Sequence, residues 1–332
     1  MGNKENKLNI VSNISLNKKQ CSICGSFKTQ IERKVQSPFI NKKYTLYFCK
    51  DCKSYFFDKN EYDVDLKEFY NDENRAWNNK FSYSEYWSGQ VKRINKLLIN
   101  KNRRLNILDV GCRTGDFLLH WDKKKNNLYG VELNKNNADI VMERGINVYN
   151  DFIENIDFEI QFDVITCYAL LEHIANPKIL LDKITEILKT NGILVIMIPA
   201  IESKLRKKLD KKNIHWHMYS PPEHLSYYSK GFLDNYMKKR NINLVYRYYT
   251  AGGLNGIYSK RSNAYRLLKN ADYKSLREYY SPNKNRNNVN RSVIRRVINK
   301  LTYYRKLLIE EYLPANKYPY YDHMYSYYRK VK

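Results

Sequence analysis

From Leu105 onward the chain alternates short apolar runs with segments whose apolar residues recur at three- and four-residue spacing. The runs predict strands at Leu105–Val110, Leu128–Leu133, Asn147–Tyr149, Phe162–Cys167 and Gly192–Ile198. Between them the helical spacing predicts helices at Asp116–Trp121, Asn136–Arg144 and Pro177–Lys189. Strands that alternate with helices make a doubly wound, mostly parallel α/β sheet with helices on both faces. After Pro199 come a basic helical stretch, a loop rich in aromatic residues and histidine, a helix at Ser229–Arg240 and a strand at Asn243–Tyr249.

The remainder divides around this unit. Residues 1–18 are polar and predicted to be disordered, residues 19–60 form a small cysteine module, and residues 61–102 form a linker that ends in a helix at Tyr86–Lys101. The α/β unit spans 103–252, and residues 253–332 form a basic, tyrosine-rich extension predicted to be largely helical. Within it, Ile294, Val297, Ile298, Leu301, Tyr304 and Leu308 recur at helical spacing over Arg291–Tyr312.

Two pairs, Cys21-Ser22-Ile23-Cys24 and Cys49-Lys50-Asp51-Cys52, give the cysteine module its chemistry. A Cys-x-x-Cys turn points two thiolates at one metal, and two such turns supply the four sulfurs of a tetrahedral zinc site. Gly25 relaxes the first turn, and a strand-like Tyr44–Phe48 leads into the second. With all four positions held by sulfur, such a zinc ion is structural. A pair of disulfides is the alternative reading, although no secretion signal is evident. Cys112 and Cys167 fall at core positions and read as buried thiols.

The segment Asn106-Ile107-Leu108-Asp109-Val110-Gly111-Cys112-Arg113-Thr114-Gly115-Asp116 is a strand, a glycine turn and the start of a helix. Arg113 and Asp116 occupy the later glycine positions of a dinucleotide fingerprint, and Asp116 stands where a P-loop needs its Gly-Lys pair. A carboxylate there repels phosphate, whereas it suits a cationic ligand. The segment resembles motif I of the class I S-adenosylmethionine-dependent methyltransferases, Asp-x-Gly-Cys-Gly-x-Gly, with Arg113 in place of the middle glycine. Cys167-Tyr168-Ala169-Leu170-Leu171-Glu172-His173-Ile174-Ala175-Asn176-Pro177 resembles the Leu-Glu-His element of a broad group of small-molecule methyltransferases in that family, and the resemblance covers roughly Leu105 to Tyr249.

The resemblance implies S-adenosylmethionine as cofactor, held around Asp109, Gly111, Cys112, Gly115 and Tyr168. Glu132, at the end of the second strand, would accept the ribose hydroxyls. Asp151 would accept the adenine amino group, and Phe152 would pack on the ring. For Asp151 a helix N-cap is the competing reading. The family's seventh strand has only a weak counterpart at Gly256–Lys260.

His173 and His224 are candidate general bases on the acceptor side, and a structural tie is the alternative for each. The stretch Pro221-Pro222-Glu223-His224-Leu225-Ser226-Tyr227-Tyr228-Ser229 resembles a conserved element of the same family. The Asp/Asn-Pro-Pro-Tyr/Phe signature of nucleobase amine methylation is missing after the fourth strand, where Tyr168-Ala169-Leu170-Leu171 stands. That weakens nucleobase methylation, and resemblance to sugar methyltransferases that carry a zinc module ahead of this domain implies a small-molecule acceptor, a sugar or glycan precursor methylated on oxygen or carbon. An RNA gripped by the zinc module and the basic tail is the alternative.

The formal net charge is +25, and about half of the excess falls after Asn255. Such charge points to nucleic acid or an anionic surface, or else to a lysine-rich composition without a binding purpose. The longest apolar run, Ile193–Ile198, is far shorter than the roughly 20 residues of a spanning helix. No export or lipid signal stands at the N-terminus, where Asn6 occupies the position that myristoylation needs as Ser or Thr. The expected location is cytoplasmic, with peripheral contact to an anionic membrane through the tail helix as a possibility. The sequence leaves the oligomeric state undetermined.

Overall fold

The computed structural model describes residues 19–62, 84–99, 102–250, 263–280 and 322–331. Its centre is a seven-stranded sheet built from β4 (Leu105–Val110), β5 (Asn126–Val131), β6 (Asn147–Tyr149), β7 (Phe162–Tyr168), β8 (Leu188–Pro199), β10 (Ile242–Thr250) and β11 (His323–Lys330). The spatial order is β10-β11-β8-β7-β4-β5-β6. The run from β8 to β6 is parallel, and β11 is antiparallel to both of its neighbours. The fold class is the doubly wound α/β architecture that the alternation predicts.

Strict alternation buries both faces of the sheet. Leu108 and Val110 of β4, Ile196 and Ile198 of β8, and Met324 and Tyr328 of β11 enter one core. Helices α3 (Pro177–Ile187) and α5 (Lys230–Lys238) pack on that core through Leu180, Ile184, Leu233 and Met237. Leu105, Ile107, Val195, Tyr325 and Tyr327 enter the other core, with Val91 and Ile94 of α1 (Ser84–Leu97) and Val141 of α2 (Lys135–Glu143). At about 1.5–3 kcal/mol for each large side chain fully buried, these two layers supply the main drive to fold. Within the second core, Tyr248 and Tyr327 both donate to the buried Gln90 side chain, at 3.0 and 2.6 Å.

The structure departs from the sequence reading in three places. The helix expected at Asp116–Trp121 is a single 3-10 turn, Leu118–His120. Asp122 closes the segment by accepting from the Lys124 amide at 3.0 Å, and β5 starts only two residues later. The seventh strand is β11, from the end of the chain, while Gly256–Lys260 lies outside the described residues. The helix expected at Tyr86–Lys101 runs from Ser84 to Leu97. The N-terminal stretch 1–18 and the tail segment Arg291–Tyr312 also lie outside the described residues. Of the extension, α6 (Asn263–Asn270), α7 (Tyr273–Tyr280) and β11 are described. No described helix is long and apolar enough to cross a membrane.

The cysteine module is a small antiparallel sheet of β1 (Thr29–Gln36), β2 (Lys43–Cys49) and β3 (Tyr55–Phe57), and a fourth strand, β9 (Ser226–Tyr227), joins it from the loop that follows His224. Helix α4 (Lys204–Lys211) fastens the same junction. Its buried Arg206 donates to Asp210 at 2.8 Å and to the Tyr55 hydroxyl at 3.0 Å, and Asp210 also pairs with Arg33 of β1.

Candidate functional site

The sheet order brings the predicted cofactor residues to one edge. Val110, Val131 and Tyr149 stand in register on β4, β5 and β6, so Gly111, Glu132 and Asn150 follow side by side at the carboxyl ends of their strands. Asp109 stands opposite Thr166 of β7, whose hydroxyl donates to its carboxylate at 2.6 Å. The turn after β4 has Gly111, Arg113 and Gly115 in the left-handed region, with φ of +73°, +50° and +79°. Glycine suits the outer two positions because a side chain is strained there. A Cβ on Gly111 would also lie 3.1 Å from Leu170. Arg113 adopts the same conformation at the site where the family motif has glycine.

Glu132 is buried and ties the turn together. Its carboxylate accepts from the backbone amides of Arg113 at 2.8 Å and Asn134 at 2.9 Å. Asp109 and Glu132 form no ion pair with a described lysine or arginine. Burial pushes the Asp109 carboxyl up to about 7 and raises that of Glu132. A buried acidic floor that forms no ion pair among the described residues suits the amino group and sulfonium of S-adenosylmethionine, so the residues present fit that cofactor.

The remaining predicted positions surround this floor. Asp151 is exposed and accepts from the Phe152 amide at 2.7 Å and the Asn155 side chain at 3.0 Å, and so steadies the 3-10 turn Ile153–Asn155. The Phe152 side chain is 41% exposed, which leaves its ring open for stacking. Asn150, not singled out from the sequence, donates to the carbonyls of Glu132 and Leu133 and links β6 to β5. The Tyr168 ring packs against Trp87 and Phe117, each 5.1 Å away between centroids, and its buried hydroxyl has no hydrogen-bond partner. Cys112 is buried beneath the turn beside Gly130, which has no room for a Cβ because Sγ would lie 2.5 Å from it.

The segments expected to face the acceptor carry several imidazoles. His173 ends the 3-10 turn Leu171–His173 after β7, and His224 precedes β9. Their rings meet edge to face, 4.8 Å apart between centroids. Each uses Nδ1 toward a backbone carbonyl, His173 to Glu223 at 2.9 Å and His224 to Met218 at 2.8 Å. Because a carbonyl only accepts, Nδ1 carries the proton in each and Nε2 is the basic nitrogen. Burial pushes His173 down to about 4 and His224 well below the usual imidazole range, so both rings are neutral near pH 7 and weak as proton acceptors.

The chain's end adds a feature that sequence spacing could not reveal. Asp322, 1% exposed, lies 3.3 Å from His217 Nε2 and 3.0 Å from His323 Nδ1, and the carboxylate raises the His323 imidazole. His215 serves differently: its buried Nε2 lies 2.8 Å from the Tyr219 carbonyl, and burial lowers it to about 3. A cleft of about 240 Å³ is lined by Glu202, Lys207, Tyr228, Lys230 and Tyr249, among others.

The four module cysteines converge as the sequence spacing requires. Their sulfurs all lie within 4.8 Å of one another, with Cys21 to Cys52 at 3.8 Å and Cys24 to Cys49 at 3.6 Å. Tetrahedral zinc with bonds of about 2.3 Å sets sulfurs about 3.8 Å apart, so the set fits that metal. Each knuckle closes in the same way. Gly25 donates to Cys21 and Lys53 to Cys49, and both Gly25 and Lys53 are left-handed, with φ of +84° and +57°.

A family model described as a methyltransferase domain matches residues 82–247, half of the chain. An uncharacterized protein of Methanocaldococcus jannaschii is 31% identical over 120 residues, 36% of this chain and 57% of that protein. The mitochondrial ubiquinone biosynthesis O-methyltransferase of Dictyostelium discoideum is 28% identical over 114 residues, 28% of this chain and 34% of that enzyme. The matches thus span less than two thirds of either relative. The crystal structure of coclaurine N-methyltransferase bound to N-methylheliamine and SAH aligns with a TM-score of 0.43 at 16% identity, over 76% of this chain and 75% of that one. On the family match, the chain belongs to the methyltransferase-domain family.

Proposed function

We propose that this enzyme methylates a small molecule, a sugar or glycan precursor, on an oxygen or carbon atom. The observation that carries the reading is the β3–β9 pairing, which fixes the cysteine module against the loop that bears His224. An acceptor side walled by a second layer suits a compact acceptor better than a nucleic-acid helix. The cleft with Lys207 and Lys230 supports an acceptor bearing a phosphate, such as a nucleotide-linked sugar.

In this reading Gly111, Cys112 and Gly115 shape the cofactor turn, with Asp109 and Glu132 facing its positive charge. Glu132 takes the ribose hydroxyls, Asp151 and Phe152 the adenine, and Tyr168 closes the floor. When bound, S-adenosylmethionine supplies an electrophilic methyl group on a sulfonium. The chain's part is to hold the acceptor atom in line with that methyl, which can account for much of the rate. An acceptor hydroxyl must also lose a proton. His173 and His224 are neutral acceptors of a hydrogen bond from it, and His323, oriented by Asp322, is the more basic imidazole of the wall. Cys21, Cys24, Cys49 and Cys52 hold a structural zinc ion that keeps the wall in place.

Labelled S-adenosylmethionine offered with nucleotide sugars, glycans and RNA tests the proposal. Transfer of label to a sugar supports it. Transfer to RNA alone refutes it.

A further inference from the structure

We infer that Glu172, His173 and His224 form a second metal site, which takes a divalent transition-metal ion through one carboxylate oxygen and two imidazole nitrogens. The three side chains offer ligand atoms that all lie within 4.8 Å of one another. Bonds of about 2.0–2.2 Å to nitrogen and oxygen place such atoms about 3.5 Å apart in a tetrahedral set, so the three side chains must draw together to close on an ion.

Three features favour an ion over simple packing. First, Glu172 is 1% exposed, and its Oε2 is buried without a hydrogen-bond partner among the described residues. A buried, unpaired carboxyl oxygen destabilises a fold unless something binds it. Second, both imidazoles are turned by the hydrogen bonds from Nδ1 to the Glu223 and Met218 carbonyls. That outer contact is the usual means of fixing the tautomer and angle of a histidine ligand. Third, the two segments that carry the ligands are locked together, because the Leu225 amide donates to the Glu172 carbonyl at 2.7 Å. Backbone held in this way needs little reordering on binding.

The donor set differs from that of the cysteine module. Two nitrogens and one oxygen suit zinc, cobalt, iron or manganese, and three protein ligands leave a position for water or for an acceptor oxygen. An ion there takes the imidazole nitrogens that would otherwise accept from the acceptor hydroxyl, and so leaves that role to His323; the inference does not depend on which acceptor is methylated.

Cobalt separates the two sites by colour. The full-length chain, with metal on its cysteine site, is dialysed against a weak chelator and titrated with Co²⁺. One further equivalent should bind, giving weak visible bands without the thiolate-to-cobalt charge-transfer band of a cysteine site, and should raise the unfolding temperature. Glu172→Gln and His224→Gln should each weaken that equivalent at least tenfold. Unfolding without added metal and binding of S-adenosylhomocysteine check that the variants fold. Absence of the second equivalent in the unaltered chain overturns the inference, as does a second equivalent whose affinity both folded variants leave unchanged.

Discussion

Cofactor affinity should depend on pH through Asp109. The Asp109 carboxyl is buried, receives one hydrogen bond from Thr166, and is pushed up to about 7. Its raised value means that folding takes up a proton between the ordinary 3.8 and about 7, so its contribution to stability falls as pH rises through that window and is constant above it. Binding of a cation runs the other way, since it favours the ionised carboxylate. If only that form binds, about one molecule in 30 is competent at pH 5.5, and affinity should drop about 30-fold from pH 8.5, or about 2 kcal/mol. Any binding by the neutral form makes the drop smaller. Calorimetry with S-adenosylmethionine from pH 5.5 to 8.5 measures it, with circular dichroism to confirm folding at each pH. Asp109→Asn should bind with about the weak affinity of the acid limb and show a flatter profile. A flat profile in the unaltered enzyme, or the same slope in Asp109→Asn, would refute the reasoning.

Gly111→Val should abolish cofactor binding, because φ of +73° strains any side chain and the added carbons run into Leu170; calorimetry that finds normal affinity would count against the site. Glu132→Ala should weaken binding by about 1–3 kcal/mol, the range for hydrogen bonds to a charged group, and should also lower the unfolding temperature by leaving the Arg113 and Asn134 amides without their acceptor. Metal analysis should find zinc on the cysteine module, and Cys49→Ser should release it, detach the module and spare cofactor affinity; retention of that zinc by the variant would move the site elsewhere. A chain cut near Asn290 should fail to fold, since it lacks β11 and leaves β8 and β10 without their shared partner, and a soluble cut protein with a sharp thermal transition would show that β11 is dispensable.

That last prediction also shows where the sequence is legible. The turn from Asp109 to Gly115, the acidic residue after β5 and the paired cysteines are local patterns, and each lies where its spacing puts it. The strand β11 reads His-Met-Tyr-Ser-Tyr-Tyr-Arg-Lys, whose tyrosines look like surface or loop residues until both faces of the strand are covered. Tyr325 and Tyr327 then enter one core and Met324 and Tyr328 the other. For the same reason Asp322 and His323 could not be placed beside His217 from the sequence. Their meeting depends on β11 crossing the sheet between β8 and β10, a long-range pairing that no window reports. The boundary drawn near residue 60 is legible as a change of composition, but Tyr55, Arg206 and Asp210 pack across it.

The charge distribution bears on catalysis more directly than the net charge does. A chain with formal charge +25 keeps two buried carboxylates, Asp109 and Glu132, at the cofactor turn. Methyl transfer removes the positive charge from sulfur, so an acidic floor holds the sulfonium form more tightly than the thioether product and favours release. The same attraction is strongest before reaction, and ground-state binding in excess slows the chemical step. An Asp109 carboxyl poised at about 7 lessens that conflict, since near neutral pH it is ionised in only part of the free enzyme.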